Sequence, residues 1–82
     1  ALLLLAFVSG VNGGSCTNFK DCERKAEQED ADAQLLVGAF YFTGIGVAQD
    51  YKKAVYWYSK AAEQGDTDAQ EKLQRIKRKE IN

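Results

Sequence analysis

The stretch AEQEDADAQ at residues 26–34 returns 36 positions later as AEQGDTDAQ at residues 62–70. Aligning residues 22–34 with residues 58–70 gives seven identities in thirteen positions. An internal period of roughly 20 to 50 residues is typical of a supersecondary unit that repeats and stacks on its neighbours. The 82-residue chain is therefore predicted to hold one full unit between two partial ones.

Start and stop signals place a helix before the second copy of this stretch. Asp50 is a favourable N-cap for the segment YKKAVYWYSKAAEQ, and Gly65 is a favourable left-handed stop after it. Apolar residues recur within the segment at three- and four-residue spacing, as they do on one face of an amphipathic helix. These residues are Tyr51, Ala54, Trp57, Tyr58 and Ala61. We therefore predict a helix that packs through one side.

The preceding segment, DAQLLVGAFYFT at residues 32–43, is apolar nearly all round. In helical projection one arc holds Ala33, Leu36, Val37, Phe40 and Tyr41, and a second arc holds Leu35, Ala39 and Phe42. A helix of this kind is expected to be covered on more than one side. Gly38 costs about 1 kcal/mol relative to Ala in a helix, so we expect a neighbouring helix to approach closely there. Gly44 and Gly46 predict a turn between antiparallel helices.

The 36-residue offset predicts a further helix on each side. Residues 17–28 correspond to the second helix of a preceding unit, and residues 67–79 to the first helix of a following unit. The apolar stripe of the last helix is Ala69, Leu73 and Ile76. Beyond this stripe the helix is mostly polar, as a capping element is. The predicted fold is all-α: a short α/α superhelical solenoid of antiparallel helix pairs, with about four helices.

The N-terminal residues predict export. ALLLLAFV has the length of the apolar region of a secretory signal and is far shorter than the roughly 20 residues that span a bilayer. The alternative is an apolar helix that packs on the domain. The predicted protein is exported, periplasmic or secreted, with the bacterial envelope favoured. The predicted organisation is a signal-peptide remnant at 1–13, a half-repeat segment at 14–30, a full repeat at 31–66 and a capping helix at 67–82.

Cys16 and Cys22 are the only cysteines in the chain. In an exported chain an even pair favours a disulfide. On one helix the two residues would lie about 9 Å apart along the axis, beyond the roughly 7 Å between Cα atoms that a disulfide tolerates. Cys16 is therefore expected to lie off the helix that carries Cys22. Lipidation of Cys16 and free thiols are the alternatives.

The net charge of −1 is unevenly distributed. Residues 16–50 hold seven acidic and three basic residues, whereas residues 51–82 hold five acidic and eight basic ones. The basic cluster near the C-terminus is Lys72, Arg75, Lys77, Arg78 and Lys79. No aromatic residue is interleaved with it, so we predict no nucleic-acid partner. The simpler interpretation is a solvated last turn that complements the helix dipole.

A family resemblance extends over more than thirty positions. The residues that carry it are Ala33, Val37, Gly38, Tyr41, Gly44, Gly46, Val47, Asp50, Lys53, Ala54, Trp57, Lys60, Ala61, Ala62, Gln64 and Gly65. Together they resemble the Sel1-like repeat, a relative of the tetratricopeptide repeat. The resemblance implies a solenoid that binds a protein or peptide as an adaptor, and many bacterial members are exported. Some cysteine-rich members bind or hydrolyse β-lactams, which implies an enzyme as the alternative.

The residues themselves offer little for catalysis. The chain has no His, and no Ser is followed three residues later by Lys. A nucleophile–base dyad or a zinc site then has no plausible set of ligands. We therefore predict a protein that is not an enzyme, with no catalytic residue, no cofactor and no metal.

Binding has more candidate residues. In a solenoid the first helices of successive units line the inner surface, which makes Leu35, Ala39 and Phe42, together with Gln34, candidates for a groove. Burial against the flanking helices is the alternative for these four. Tyr56 projects to the charged side of its helix and is a second candidate, because aromatic residues are favoured interface anchors. About three units are needed for an independent core, so we also expect a second copy of the chain or a partner protein to complete it.

Overall fold

The computed structural model describes residues 16–81, with side chains through residue 79. All regular structure in this part of the chain is helical. Its four helices are α1 (Phe19–Glu27), α2 (Ala31–Thr43), α3 (Tyr51–Glu63) and α4 (Thr67–Ile81). The all-α prediction with about four helices is thus confirmed. The predicted signal-peptide remnant at 1–13 lies outside the described residues.

A side-chain cap begins each helix. In every case the oxygen of an Asn or Asp accepts a hydrogen bond from the backbone N–H three residues later, at 2.9–3.1 Å. Such a bond satisfies one of the N–H groups that a helix start leaves without a partner. The four capping residues are Asn18, Asp30, Asp50 and Asp66. The predicted cap at Asp50 is therefore present, and the other helices begin in the same way.

The sequence repeat produces the same turn twice. Between α1 and α2, the N–H of Asp30 donates to the carbonyl of Lys25 at 3.2 Å. Between α3 and α4, the N–H of Asp66 donates to the carbonyl of Ala61, also at 3.2 Å. These two pairs are 36 positions apart in sequence. The internal repeat is therefore also a structural repeat.

Helix α2 is covered on two sides, as its sequence predicts. One buried cluster joins α1 to α2, and a second joins α3 to α4. Leu35 and Phe42 of α2 pack against the second cluster. The first cluster is Cys22, Ala26, Ala33 and Val37, and the second is Ala54, Tyr58, Ala61, Ala69 and Ile76. The apolar stripe predicted for α4 is confirmed, because Ala69 and Ile76 are buried and Leu73 packs beside them.

The close approach predicted at Gly38 is also present. A Cβ atom on residue 38 would lie 2.6 Å from Cδ1 of Tyr58. Real Cβ contacts are longer than this, so only glycine fits without displacing the ring. The absence of a side chain at Gly38 thus sets how closely α2 and α3 pack.

Two apolar residues lie outside the positions that periodicity predicts for them. Leu36 was expected in a covered arc of α2, but it is 39% exposed because α1 and α3 cover the other sides of that helix. Tyr51 was expected on the buried face of α3, but it is 53% exposed. It lies in the first turn, where its ring packs on that of Phe42 with centroids 5.3 Å apart.

Among the described helices, none combines the length and the apolar character needed to cross a membrane.

Candidate functional site

The groove residues predicted on α2 lie along one side of the helix and are half-buried. Leu35, Ala39 and Phe42 are spaced by four and three residues, so they lie on successive turns. Leu35 and Phe42 rest against the cluster between α3 and α4. Their burial is partial, which leaves apolar surface facing outward along this side of α2.

Gln34, the fourth residue predicted for the groove, is fully buried. Its Nε2 donates to the carbonyl of Ala26 at 3.1 Å, and its Oε1 accepts from Nε2 of Gln64 at 3.0 Å. Nε2 of Gln64 also donates to the carbonyl of Glu29 at 2.9 Å. Gln34 therefore ties the last turn of α1 to Gln64, the residue that follows α3. The prediction that Gln34 lies on a partner-binding surface is therefore wrong, because none of its side chain is accessible.

Tyr56 lies on a different surface of the protein. It is 55% exposed, and its ring packs edge-on against that of Trp57 with centroids 5.1 Å apart. Nζ of Lys60 lies 5.7 Å from the centroid of the Tyr56 ring, within the range of a cation–π contact. The structure does not bring Tyr56 together with the α2 residues.

A cavity of about 280 Å³ opens between α2 and α4. Three helices contribute to it: Phe42 comes from α2, Tyr58 from α3 and the remaining residues from α4. The residues that line it are Phe42, Tyr58, Lys72, Arg75, Ile76 and Lys79. We call it the α2–α4 cavity. Among the residues predicted for partner binding, only Phe42 lines it.

The α2–α4 cavity combines an apolar floor with a positively charged rim. Tyr58 and Ile76 are 2% and 6% exposed, so they form its interior. Burial raises the pKa of the Tyr58 hydroxyl, which keeps this group neutral. The charged residues that line the cavity are Lys72, Arg75 and Lys79. The site therefore presents positive charge beside apolar surface.

The basic residues of this rim were predicted to form a solvated last turn. Lys72, Arg75 and Lys79 follow one another at spacings of three and four residues, with Ile76 on the same face. This spacing was a usable signal, because it places three cations around a buried apolar residue. Composition alone did not separate them from Lys77 and Arg78, which do not line the cavity.

Cys16 and Cys22 form a disulfide in the structure. Cys22 is buried within α1, whereas Cys16 precedes the helix, as the spacing predicted. Their Cα atoms are 5.0 Å apart, within the normal range for a disulfide. Neither thiol is then available as a nucleophile, and the described residues contain no group of three or more metal-ligating side chains that could hold an ion.

Comparison with known proteins identifies the repeat. The family model described as Sel1 repeat matches residues 31–66. The chain is 33% identical over 60 residues to the Arabidopsis thaliana protein "ERAD-associated E3 ubiquitin-protein ligase component HRD3A", covering 72% of this chain and 9% of that protein. It is 40% identical over 45 residues to the related component HRD3B of the same plant, covering 54% of this chain and 8% of that protein.

A third relative is "Chitin synthase regulator SKT5" of Malassezia restricta, 41% identical over 51 residues that cover 62% of this chain and 4% of that protein. The chain thus spans less than a tenth of the length of each of these relatives. No solved structure matches it. The helix pair α2–α3, with its close contact at Gly38, lies within the matched segment. Residues 31–66 of this chain are a Sel1 repeat.

Proposed function

We propose that this chain is a protein–protein interaction module, an adaptor that binds a protein or peptide partner through the half-buried side of α2 that carries Leu35, Ala39 and Phe42. The observation that carries this proposal is the row formed by Leu35, Ala39 and Phe42, which leads into the α2–α4 cavity. Aromatic residues are enriched at protein interfaces, so Phe42, which lines the cavity, is the leading anchor in this row. The relatives are named as a ligase component and a synthase regulator, which supports a role alongside other proteins.

Photo-crosslinking in cells that express the protein tests the proposal. A photoreactive amino acid placed at Ala39 is expected to capture a partner, and the same group at exposed Lys52 of α3 is the control. Phe42→Glu is expected to abolish capture from position 39 while leaving the helical circular dichroism unchanged. Equal capture from both positions, or none from position 39, contradicts the proposal.

Phe42 also contacts the core, so its substitution needs a second variant. If Phe42→Glu lowers the helical signal, Phe42 acts mainly in packing. Ala39→Glu then replaces it in the test, with the photoreactive group moved to Thr43, which is exposed one turn further along α2. Ala39 lies one turn away on the same side of α2 and is absent from the buried clusters. Loss of capture in Ala39→Glu with normal helicity then supports the proposal.

Tyr56 is proposed as a separate, weaker contact. Its exposed ring lies beside the Nζ of Lys60 and against the ring of Trp57. A photoreactive group at Tyr56 is expected to capture the same partner as the group at Ala39 if one partner spans both surfaces. If no partner is captured from position 56, Tyr56 is not part of the binding site, and the proposed role of α2 is unaffected.

We also propose that the chain is exported to an oxidising compartment. The disulfide supports this, because such bonds persist mainly outside the reducing cytosol. The relatives come from a plant and from Malassezia restricta, and two are ERAD-associated by name, so they do not favour the bacterial envelope in particular. Alkylation of the protein in fractionated cells is expected to label its cysteines only after reduction. Labelling before reduction contradicts this location. No observation favours the β-lactam alternative, and it is not proposed.

A further inference from the structure

We propose that the α2–α4 cavity binds an acidic polypeptide segment, with one apolar side chain of the segment inserted between the helices and its carboxylates on the cationic rim. This inference rests on the proposed function and adds the chemistry of the partner. It assigns binding roles to Lys72, Arg75, Ile76 and Lys79 of α4.

The size of the cavity fits a side chain. Its volume of about 280 Å³ lies below the range of about 300–1,000 Å³ that is usual for small-molecule pockets. Its interior is formed by Phe42, by the ring of Tyr58 and by Ile76. Such a space suits one aromatic or large aliphatic side chain, and the partner is therefore expected to supply one.

The spacing of the rim fits an extended segment. Lys72 and Lys79 are seven residues apart on α4, which corresponds to about 10 Å along the helix axis. An extended chain rises about 3.3 Å per residue. Because side chains alternate between the two faces of an extended segment, carboxylates two or four residues apart share a face. Their separations of about 7 and 13 Å bracket that of the two lysines.

The charge of the rim is largely uncompensated. Among the side chains that the structure describes, no carboxylate lines the cavity or forms an ion pair with Lys72 or Lys79. Arg75 lies 3.6 Å from Glu71, but both side chains are more than 60% exposed, and a pair of this kind is weak. Residues 72–79 contain five basic residues and no acidic one. Complementary charge on a partner both attracts and orients it.

The aromatic residues of the cavity favour a peptide over a nucleic acid. Single-stranded nucleic acids bind by stacking bases on open aromatic rings. Tyr58 is almost fully buried, and the ring of Phe42 already packs against that of Tyr51. The apolar floor can receive one side chain, but it presents no row of open rings on which successive bases could stack.

A synthetic peptide provides the direct test. The probe is a fluorescein-labelled nonapeptide, GSEDFEDSG, in which one phenylalanine is flanked by carboxylates, and binding is followed by fluorescence anisotropy at low salt. The double variant Lys72→Glu/Lys79→Glu is compared with Lys77→Glu/Arg78→Glu, which changes the net charge equally on residues that do not line the cavity. The first is expected to weaken binding at least about tenfold, and the second by less than about threefold.

Replacing the phenylalanine of the probe by serine is expected to weaken binding by a similar factor. The inference is overturned if the wild-type chain does not bind the probe at 1 mM, if both double variants weaken it equally, or if the serine peptide binds as well as the original. Equal competition by an oligothymidylate indicates a general polyanion site and also overturns it. Should Lys72→Glu/Lys79→Glu lose helicity, Lys79→Gln is compared with Lys77→Gln instead.

The remaining outcomes separate this inference from the proposed function. If the partner captured from Ala39 is lost in Phe42→Glu but retained in Lys72→Glu/Lys79→Glu, the adaptor role stands and the acidic partner is wrong. If no partner is captured from Ala39, the adaptor role itself fails. Sedimentation tests whether a second copy of the chain occupies the cavity instead. If the chain self-associates, Lys72→Glu/Lys79→Glu abolishes the association and the probe does not bind, the inference is overturned in favour of a homo-oligomer.

Discussion

The ring of Tyr58 occupies the space that a side chain on Gly38 would fill, with Cδ1 and Cε1 at 2.6 and 2.7 Å from the position of a Cβ atom. In an exposed helix, replacing Gly by Ala stabilises by up to about 1 kcal/mol. Here the clash is expected to dominate, because overpacking a core costs about 1–3 kcal/mol. We therefore expect Gly38→Ala to lower the free energy of unfolding, as measured by urea denaturation.

The repeat supplies a matched control for this substitution. Gln74 lies 36 positions after Gly38, at the corresponding place on α4, and is exposed. Gln74→Ala is expected to change the free energy of unfolding by less than about 0.5 kcal/mol. A Gly38→Ala variant that is more stable than the wild type would show that Tyr58 does not limit this contact.

Gln34 and Gln70 form equivalent hydrogen bonds in different surroundings. Nε2 of Gln34 donates to the carbonyl of Ala26 in the buried interior, and Nε2 of Gln70 donates to the carbonyl of Ala62 at the surface. Gln34→Leu leaves a buried carbonyl without its partner, which costs about 1–3 kcal/mol. Gln70→Leu is expected to cost less than about 0.5 kcal/mol, because water replaces the lost bond. Equal effects of the two substitutions in thermal or urea unfolding would argue against burial as the cause.

The sequence predicted most of the fold because local signals and the repeat agree. Asp50 as a cap, Gly44 as a helix end and Gly38 as a point of close contact each follow from the chemistry of one residue. The structure shows Gly44 at φ 78° and the other two in the predicted roles. The 36-residue offset then carried these assignments to α1 and α4.

The candidate site was less predictable because it depends on which sides the neighbouring helices cover. Gln34 was predicted to line a groove, with burial against the flanking helices as the alternative. The structure shows it buried, with its Oε1 accepting a hydrogen bond from Gln64, the residue that follows α3. Lys72 and Lys79 were predicted only as solvated cations, and the structure shows that they also line one cavity with Phe42. The projection of a single helix shows which of its residues share a face. It does not show which neighbouring helix covers that face or contributes residues to the same cavity.

Glu29 adopts a left-handed backbone conformation, with φ 73°, at the place where Gly65 stands in the following turn. This conformation costs a non-glycine residue about 1–2 kcal/mol. Replacing Glu29 by glycine removes this cost. The greater conformational freedom of glycine in the unfolded chain offsets about 0.4–1 kcal/mol of that gain. We expect Glu29→Gly to raise the free energy of unfolding by about 0.5–1 kcal/mol.

Gly65→Ala is the reciprocal test, since no atom lies within 4 Å of the Cβ position there and the cost arises from φ 97° alone. It is expected to lower the free energy of unfolding by about 1 kcal/mol. If both substitutions leave the urea midpoint unchanged, these two turns are relaxed and the assignment of strain is wrong.

Asp21 makes the start of α1 sensitive to acid. A hydrogen bond from the backbone N–H of Thr17, at 3.0 Å, lowers the pKa of its carboxyl below the ordinary value of 3.8, and the charges of Lys25 and Arg24 act in the same direction. A lowered pKa in the folded state contributes stability above the unfolded value, which is lost as the pH falls through the folded value. The wild type is therefore expected to melt at a higher temperature than Asp21→Asn at neutral pH. This difference should shrink as the pH falls below about 3.8. A difference that does not change with pH would contradict this linkage.

The disulfide between Cys16 and Cys22 fixes Cys16, which precedes α1, against the buried cluster that α1 shares with α2. Closing so short a loop is expected to stabilise the fold by about 2 kcal/mol on the chain-entropy model. Cys16→Ser removes the bond and leaves the buried Cys22 in place, so the urea midpoint should fall by the corresponding amount. A reducing agent should lower the midpoint of the wild type to that of Cys16→Ser and leave the variant unchanged. If the reductant shifts both equally or neither, the disulfide is not what holds this segment.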